Sequence, residues 1–186
     1  MEFAKNLQRR AGKYFLSKRL KQFNRIRQMH TLKTAQTAGI IVTPTDQDSF
    51  EQIKKFLNYL NNLGVKVFIL GFVDDKKIPD NFLFWKGINL FSRNDLNWAG
   101  IPESTTVNDF IDQPFDMLID LSLPDHFPVQ YISTLSKSYF KVGRLDSNIH
   151  QCYDLMFELK DESSLNDYIE NLTHYLNLLS NQISSK

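Results

Sequence analysis

Short apolar runs alternate with amphipathic segments along most of this chain of 186 residues. The first two runs, GIIVT at 39–43 and VKVFILGFV at 65–73, each have the length and composition of one buried strand. Further strands are predicted at 88–92, 115–122, 139–144 and 153–159. Strands that alternate with helices are typical of right-handed βαβ units. The sequence therefore predicts a three-layer α/β fold, Rossmann-like or flavodoxin-like, with a mostly parallel sheet of about five to six strands.

The segments between the predicted strands have helical periodicity and recognisable end signals. Helices are predicted around Phe50 to Leu60, at 105–112, at 128–138 and over the last twenty or so residues. Asp46 or Asp48 is expected to cap the first of these helices, and Gly64 to end it. Pro128 is suited to the first turn of its helix, and Ser163 or Ser164 to the cap of the last one.

Charge divides the chain into two parts. Residues 1–37 contain ten Lys and Arg residues against Glu2 alone, which is a net charge of +9. Residues 38–186 contain twelve Lys and Arg against twenty Asp and Glu, which is a net charge of −8. We therefore predict a basic amphipathic arm over 1–37 and a single α/β domain over 38–186.

The arm is rich in residues with high helix propensity, and a helix over 3–31 is predicted. Its apolar residues fall on two faces well over a right angle apart, one with Phe3, Leu7, Ala11 and Tyr14 and the other with Leu16, Leu20, Phe23 and Ile26. One straight helix cannot press both faces on one surface. Either it bends near Gly12, or its second half packs on the domain while Phe3, Leu7 and Tyr14 face another partner.

The basic arm is the strongest functional signal in the sequence. The leading hypothesis is a non-catalytic adaptor or binding module whose arm contacts an anionic partner, either RNA, as in ribosome-associated arms, or a phospholipid surface. The residues expected to make the contact are Arg9, Arg10, Lys13, Lys18, Arg19, Lys21, Arg25 and Arg27. Docking of the arm on the acidic domain, or a role as a structural subunit of a larger assembly, are the alternatives.

A second hypothesis places a small phosphorylated or sugar-like ligand at the carboxyl ends of the strands, for an enzyme or a binding domain. Polar residues in the loops there include Thr43, Thr45, Asp74, Asp75, Asp125 and His126. The four expected nearest the ligand are Asp46, Asp120, Ser122 and Arg144. Asp120 ends an apolar strand, where a buried carboxylate needs a partner, and Arg144 or Lys141 is expected to supply it.

Several chemistries lack their sequence signatures. Neither GxGxxG, GxxxxGK[ST], GxSxG nor HExxH occurs, so no cofactor, metal or catalytic residue is predicted. His150, Cys152 and Asp154 are interpreted as core and loop residues. We interpret five aromatic residues as a hydrophobic cover over the sheet edge: Phe82, Phe84, Trp85, Phe91 and Trp98.

The first residues and the hydropathy of the chain bear on its location. The start MEFAKNLQRR lacks the apolar stretch of a secretory signal, and no run reaches about eighteen apolar residues. No transmembrane segment and no motif for sequence-specific DNA recognition is found. We expect a cytoplasmic protein, with the periphery of the inner membrane as an alternative.

Three stretches carry a resemblance to a known family: FLFWKGINLFSRNDLNWAGIP, FDMLIDLSLPDHFPVQYISTLSKSYFKVGR and YDLMFEL. With them the chain resembles an uncharacterised family of Bacteroidota proteins, a domain of unknown function, over nearly its whole length. That resemblance implies no activity. FDMLIDLS, a helix and FKVGR are also similar to a strand, helix and strand unit in heptosyltransferase-like glycosyltransferases, which supports the fold more than a function.

Overall fold

The computed structural model describes residues 2–122, 126–145, 152–158 and 164–183. Within them lie six strands: β1 (Thr37–Val42), β2 (Lys66–Val73), β3 (Ile88–Ser92), β4 (Met117–Asp120), β5 (Phe140–Arg144) and β6 (Leu155–Phe157). The α-helices of the described residues are α1 (Glu2–Leu20), α2 (Gln47–Asn62), α3 (Thr105–Asp112), α4 (Phe127–Leu135) and α5 (Leu165–Ile183). Short 3-10 turns lie at Asp80–Phe82 and Arg93–Asp95.

The six strands form one parallel sheet in the order β3-β2-β1-β4-β5-β6. At its centre Ile40 pairs with Ile69 of β2 and with Ile119 of β4. The predicted parallel α/β fold is confirmed. The order of the strands reverses between β1 and β4, and in folds of this kind ligands bind outside the carboxyl ends of the strands near such a reversal.

Helices cover both faces of the sheet, which is why its central strands are apolar on both sides. On one face α2 and α5 close a core around Ile40, Leu60, Ile119, Leu172 and Leu176, all of which are fully buried. On the other face α1, α3 and α4 close a second core. That core includes Leu16, Ile41, Phe72, Val107, Phe115, Leu118, Phe127 and Ile132.

The predicted end signals of the helices are mostly confirmed. Asp46 caps α2 and accepts a hydrogen bond from the backbone N–H of Ser49 at 2.8 Å. Gly64 follows α2 with a φ of 84°, a left-handed conformation that glycine adopts without strain. Ser164 accepts from the N–H of Asp167 at the start of α5, whereas Ser163 lies outside the described residues.

The predicted helix over 3–31 is wrong in its second half, because α1 ends at Leu20. The chain from 23 to 30 is not helical and makes tertiary contacts instead. The N–H of Gln28 donates to the carbonyl of Tyr139 at 3.1 Å, and Arg25 donates to the carboxylate of Asp154. Phe23 packs against the second core. These contacts outweigh helix propensity, which is worth only a few tenths of a kcal/mol per residue.

Helix α1 lies directly on the domain. Gly12 is buried against Phe127 of α4, and a Cβ atom at this position would lie 2.5 Å from the carbonyl oxygen of Ala99. Leu16, one turn further along, is only 6% exposed. The helix continues without interruption through Gly12, so the docked side of α1 is set by close approach at a glycine rather than by a bend.

Candidate functional site

One side of α1 faces solvent and is strongly basic. With a turn of about 100° per residue, Leu7, Arg10, Tyr14 and Lys18 lie on the side opposite Gly12 and Leu16, and the exposed Lys13 lies at the edge of that side. We call this side the outward face, and it comprises Leu7, Arg10, Lys13, Tyr14 and Lys18, with Lys21 just after the helix. All six are exposed, and Leu7 and Tyr14 retain 57% and 66% of their surface. The side chain of Phe3, the third member of the predicted apolar stripe, lies outside the described side chains.

The other predicted contact residues of the arm are engaged with the domain. Arg19 donates from Nη1 to the hydroxyl of Tyr131 at 2.6 Å. Arg25 forms two hydrogen bonds with the carboxylate of Asp154, at 2.7 and 2.8 Å. Arg9 is half-buried and lines a cavity described below. Arg27 stays exposed, with its Nε 3.7 Å from Asp154 Oδ1. The structure thus places four of the eight predicted cations on the outward face, uses Arg19 and Arg25 in contacts with the domain, places Arg9 at the cavity and leaves Arg27 exposed.

Exposed aromatic rings lie beside the outward face. The rings of Tyr14 and Phe15 are 5.6 Å apart, and those of Phe15 and Trp98 are 5.9 Å apart, both edge to face. Trp98 is 72% exposed and Phe84 82% exposed, so the predicted aromatic cover does not include them. It does hold for Phe82, Trp85 and Phe91, which are buried.

At the carboxyl end of β4, Asp120 is buried in a network of hydroxyl groups. Its Oδ1 accepts from the backbone N–H of Ser122 at 2.9 Å and from the Ser122 hydroxyl at 2.5 Å. Its Oδ2 accepts from the hydroxyl of Ser133 at 2.7 Å and from the phenol of Tyr153. Burial, followed by the charge of Asp120, raises the pKa of Tyr153 well above its ordinary value, so the phenol stays a donor. Three hydroxyl groups and one backbone N–H are therefore the described partners of this carboxylate.

The prediction that Lys141 is the basic partner of Asp120 is wrong. The amine of Lys141 donates to the backbone carbonyls of Ser133 and Thr134, at 2.7 and 2.9 Å. It also lies 5.5 Å from the centre of the Phe23 ring. Burial, with a further contribution from the positive charge of Arg25, lowers the pKa of Lys141 to about 7. Lys141 thus ties the end of α4 to β5 with an amine that is only partly charged at neutral pH.

This depressed pKa predicts a specific dependence of stability on pH. Between about pH 7 and the ordinary lysine pKa of 10.5, the unfolded chain binds a proton at Lys141 that the folded chain does not. The free energy of unfolding should therefore rise with pH in this window, by roughly 1 to 2 kcal/mol between pH 7 and about pH 8.5. That upper limit lies below the ordinary pKa of tyrosine and near that of cysteine, so in the unfolded chain the tyrosines stay protonated and Cys152 titrates only in part.

The variant Lys141→Met keeps the apolar stem and removes the amine. Between pH 7 and about pH 8.5, its free energy of unfolding should therefore rise by roughly 1 to 2 kcal/mol less than that of the wild type. Urea titrations of both proteins at several pH values would measure the difference. Equal pH dependence in the two proteins would contradict a deprotonated Lys141 in the folded state.

The remaining predicted residues of the strand ends are dispersed around Asp120. Asp46 is exposed at the start of α2, where it caps that helix. Arg144 ends β5, and its positive charge acts on the pKa of Tyr168, whose hydroxyl donates to the backbone carbonyl of Asp120 at 2.9 Å. The contacts given above join Asp120 with Ser122, and they join neither residue with Asp46 or Arg144. Asp125 lies outside the described residues.

The interpretation of Cys152 as a core residue is confirmed. Its side chain is buried, and burial followed by the charge of Asp120 raises its pKa to about 12. A buried neutral thiol is a poor nucleophile. Asp154 is held by Arg25, while His150 lies outside the described residues. Among the residues that the structure describes, no group of three or more His, Cys, Asp and Glu is placed to hold a metal ion.

A cavity of about 360 Å³ lies at the carboxyl ends of β2 and β3, beneath the first half of α1. It is lined by Gln8, Arg9, Phe72, Asp74, Arg93, Leu96, Asn97, Ala99, Gly100, His126, Phe127 and Pro128. Asp74 and His126 were predicted as strand-end loop residues and Arg9 as a contact of the arm, but the cavity itself was not predicted, because α1 closes it only by docking on the domain. Gly12 packs against Phe127 of α4, and a contact of this kind leaves no periodic pattern in the sequence.

Comparison with known proteins identifies a family and no activity. A family of unknown function, DUF6913, matches residues 8–179. No curated protein matches the chain significantly. None of the helices in the described part of the chain combines the length and the apolar character needed to cross a membrane. The expected source in Bacteroidota stays a prediction. Because the match spans the sheet, all the strands and most of α1, this chain belongs to the family of unknown function DUF6913.

Proposed function

We propose that this protein is a binding module that contacts RNA through the outward face of α1. The observation that carries the proposal is the arrangement of Arg10, Lys13, Lys18 and Lys21 on the exposed side of a helix whose other side is docked. Their nearest companions on this face are Leu7 and Tyr14, which are neutral. Such a row of cations can follow the phosphate groups of a nucleic acid strand and release its counterions.

The docking of α1 favours RNA over a phospholipid surface. A helix that lies in a membrane interface places a continuous apolar side among the acyl chains. In α1 the side with Gly12 and Leu16 is used against the domain. The exposed rings of Tyr14 and Trp98 suit the stacking of unpaired bases, which aromatic side chains stabilise by about 1 to 3 kcal/mol per base. A location at the periphery of the inner membrane is the competing proposal.

The chemistry at the strand ends supports a non-catalytic role. The strand order is that of doubly wound dinucleotide-binding folds, yet the loop after β1 reads TPTDQD and contains no glycine to approach a diphosphate. Both oxygens of Asp120 already accept two hydrogen bonds each. Cys152 is held as a neutral thiol by burial, which raises its pKa to about 12. An adaptor needs none of these groups to react.

Charge reversal on the outward face tests this proposal. The variant carries Arg10→Glu, Lys13→Glu, Lys18→Glu and Lys21→Glu together. A matched control carries the same reversal at Lys55, Lys76, Lys77 and Lys86, four exposed lysines of the domain. We expect the first variant to bind a labelled single-stranded RNA oligonucleotide at least tenfold more weakly than the wild type, and the control to lose much less.

Two further measurements separate the alternatives. Vesicles that contain phosphatidylserine should bind the wild type more weakly than RNA does, and the reverse order would replace RNA with a membrane surface. A native pull-down of the full-length protein beside the outward-face variant, at low and moderate salt, should lose nucleic acid with the charge reversal. Recovery of one stable protein assembly that salt does not disrupt would instead make the chain a structural subunit.

A further inference from the structure

The cavity beneath α1 combines a charged wall with an aromatic floor. Two guanidinium groups, those of Arg9 and Arg93, and one carboxylate, that of Asp74, line it. Arg93 donates from Nε to Asp74 Oδ1 at 2.7 Å and from Nη2 to Asp74 Oδ2 at 2.9 Å. The hydrogen bond and the charge of Asp74 raise the pKa of Arg93, which is thereby fixed in its cationic form. Among the lining residues that the structure describes, the ionised side chains are thus two guanidinium groups and one carboxylate.

The floor of the cavity is aromatic and buried. Phe72 and Phe127 are 2% and 8% exposed, and both line the cavity. The ring of His126 lies edge to face with that of Phe72, with the ring centres 5.5 Å apart. Because little of each ring is exposed, this floor offers a heterocyclic ring edge contacts rather than an open face for stacking.

A glycine lines the cavity on the side of α1. Gly100 has a φ of 74°, and a Cβ atom there would lie 3.6 Å from Phe127 and 3.7 Å from Gln8. A side chain at this position would therefore occupy the gap between α1 and α4. The volume of about 360 Å³ is within the range of small-molecule sites, near its lower end. The cavity also lies at the carboxyl ends of two parallel strands, where ligands bind in folds of this class.

We propose that this cavity binds a small phosphorylated molecule with a heterocyclic ring, of the size of a nucleoside monophosphate. The guanidinium group of Arg9 donates to the phosphate, and Arg93, whose Nε and Nη2 are bonded to Asp74, donates to it from Nη1. The ring makes edge contacts with Phe72 and Phe127, and the carboxylate of Asp74 accepts from hydroxyl or amino groups. The residues differ from the predicted set of Asp46, Asp120, Ser122 and Arg144, and the site does not depend on RNA binding by the outward face.

The location of Arg9 and Arg10 on different sides of α1 provides a matched pair of variants. Arg9→Gln removes a guanidinium group from the cavity, whereas Arg10→Gln removes one from the outward face. Gln8→Trp supplies a second test, because it fills the cavity without removing a charge. Thermal unfolding and circular dichroism verify that each variant folds. The probes are AMP and UMP, each compared with its unphosphorylated nucleoside by isothermal titration calorimetry on the full chain.

We expect saturable binding of at least one monophosphate, weakened about tenfold or more by Arg9→Gln and by Gln8→Trp and unchanged by Arg10→Gln. For RNA the order should be reversed: Arg10→Gln should bind RNA more weakly than Arg9→Gln does. No saturable binding of either monophosphate, equal binding of nucleoside and monophosphate, or equal effects of the two arginine variants on the monophosphate would each overturn the proposed site. None of these results would alter the salt-dependent RNA binding on which the proposed function stands.

Discussion

Replacing Asp120 by alanine is expected to lower the free energy of unfolding by about 3 to 5 kcal/mol. The carboxylate is 3% exposed and accepts from two serine hydroxyls, one backbone N–H and the phenol of Tyr153. Its removal leaves these donors without their acceptor in a place that water reaches poorly. The cost of an unsatisfied buried polar group is about 1 to 3 kcal/mol each, and several are involved.

Two control variants make this result specific to the buried network. Asp120→Asn keeps the shape of the side chain, and the hydroxyls of Ser133 and Tyr153 can turn to accept from its amide, so less than half of the loss is expected. Asp46→Ala removes an exposed helix cap and should lower the free energy of unfolding much less than Asp120→Ala does. Urea unfolding monitored by circular dichroism measures all three. A loss for Asp120→Ala no larger than that for Asp46→Ala would contradict the network.

The second large effect is expected for Arg25→Ala, at about 3 kcal/mol. The side chains of Arg25 and Asp154 are only 6% and 14% exposed, although the backbone around Asp154 is open to solvent. Besides the two bonds to Asp154, Arg25 donates to the carbonyl of Ser138 at 3.1 Å. Its loss leaves a mostly buried carboxylate without its main counter-charge. Desolvation alone would raise the pKa of Asp154, and the bonds from Arg25 and from the Lys141 N–H lower it overall.

Arg27 is the matched control for this prediction. It lies two residues along, is 70% exposed at its side chain, and approaches Asp154 only to 3.7 Å. Arg27→Ala should change the free energy of unfolding by less than about 0.5 kcal/mol. A double-mutant cycle between Arg25→Ala and Asp154→Asn should give a coupling of about 2 kcal/mol or more. Equal effects of the two arginine variants would mean that the extended segment after α1 contributes little to the fold.

Much of the fold could be predicted from local patterns. The runs around Ile40, Leu70 and Leu118 are apolar at every position because the sheet is covered on both faces, and this pattern needs no tertiary information. Asp46 and Gly64 mark the ends of α2 by mechanisms confined to a few residues. These are the features for which sequence and structure agree.

The parts that could not be predicted depend on contacts between distant residues. The helix over 3–31 was expected because residues 21–31 contain no helix-breaking residue. In the structure Arg25 instead binds Asp154, which lies 129 residues further along the chain. Asp120 was expected to meet a cation, whereas Ser133 and Tyr153 reach it from α4 and from the segment before β6. Which side of α1 is docked, and hence that Arg9 lines the cavity while Arg10 faces outward, depends on one glycine, Gly12, which lets α1 approach α4.

The salt dependence of RNA binding tests the central claim most directly. The affinity of the wild type for a labelled single-stranded RNA oligonucleotide would be measured from about 50 mM to about 200 mM salt, beside the two charge-reversal variants. If the four cations of the outward face contact phosphates, the logarithm of the association constant should fall with the logarithm of salt concentration with a slope of about −3. The slope should approach zero in the outward-face variant and stay close to the wild-type value in the control. A wild-type affinity that salt does not change, or one that both variants reduce equally, would contradict a contact made by the outward face.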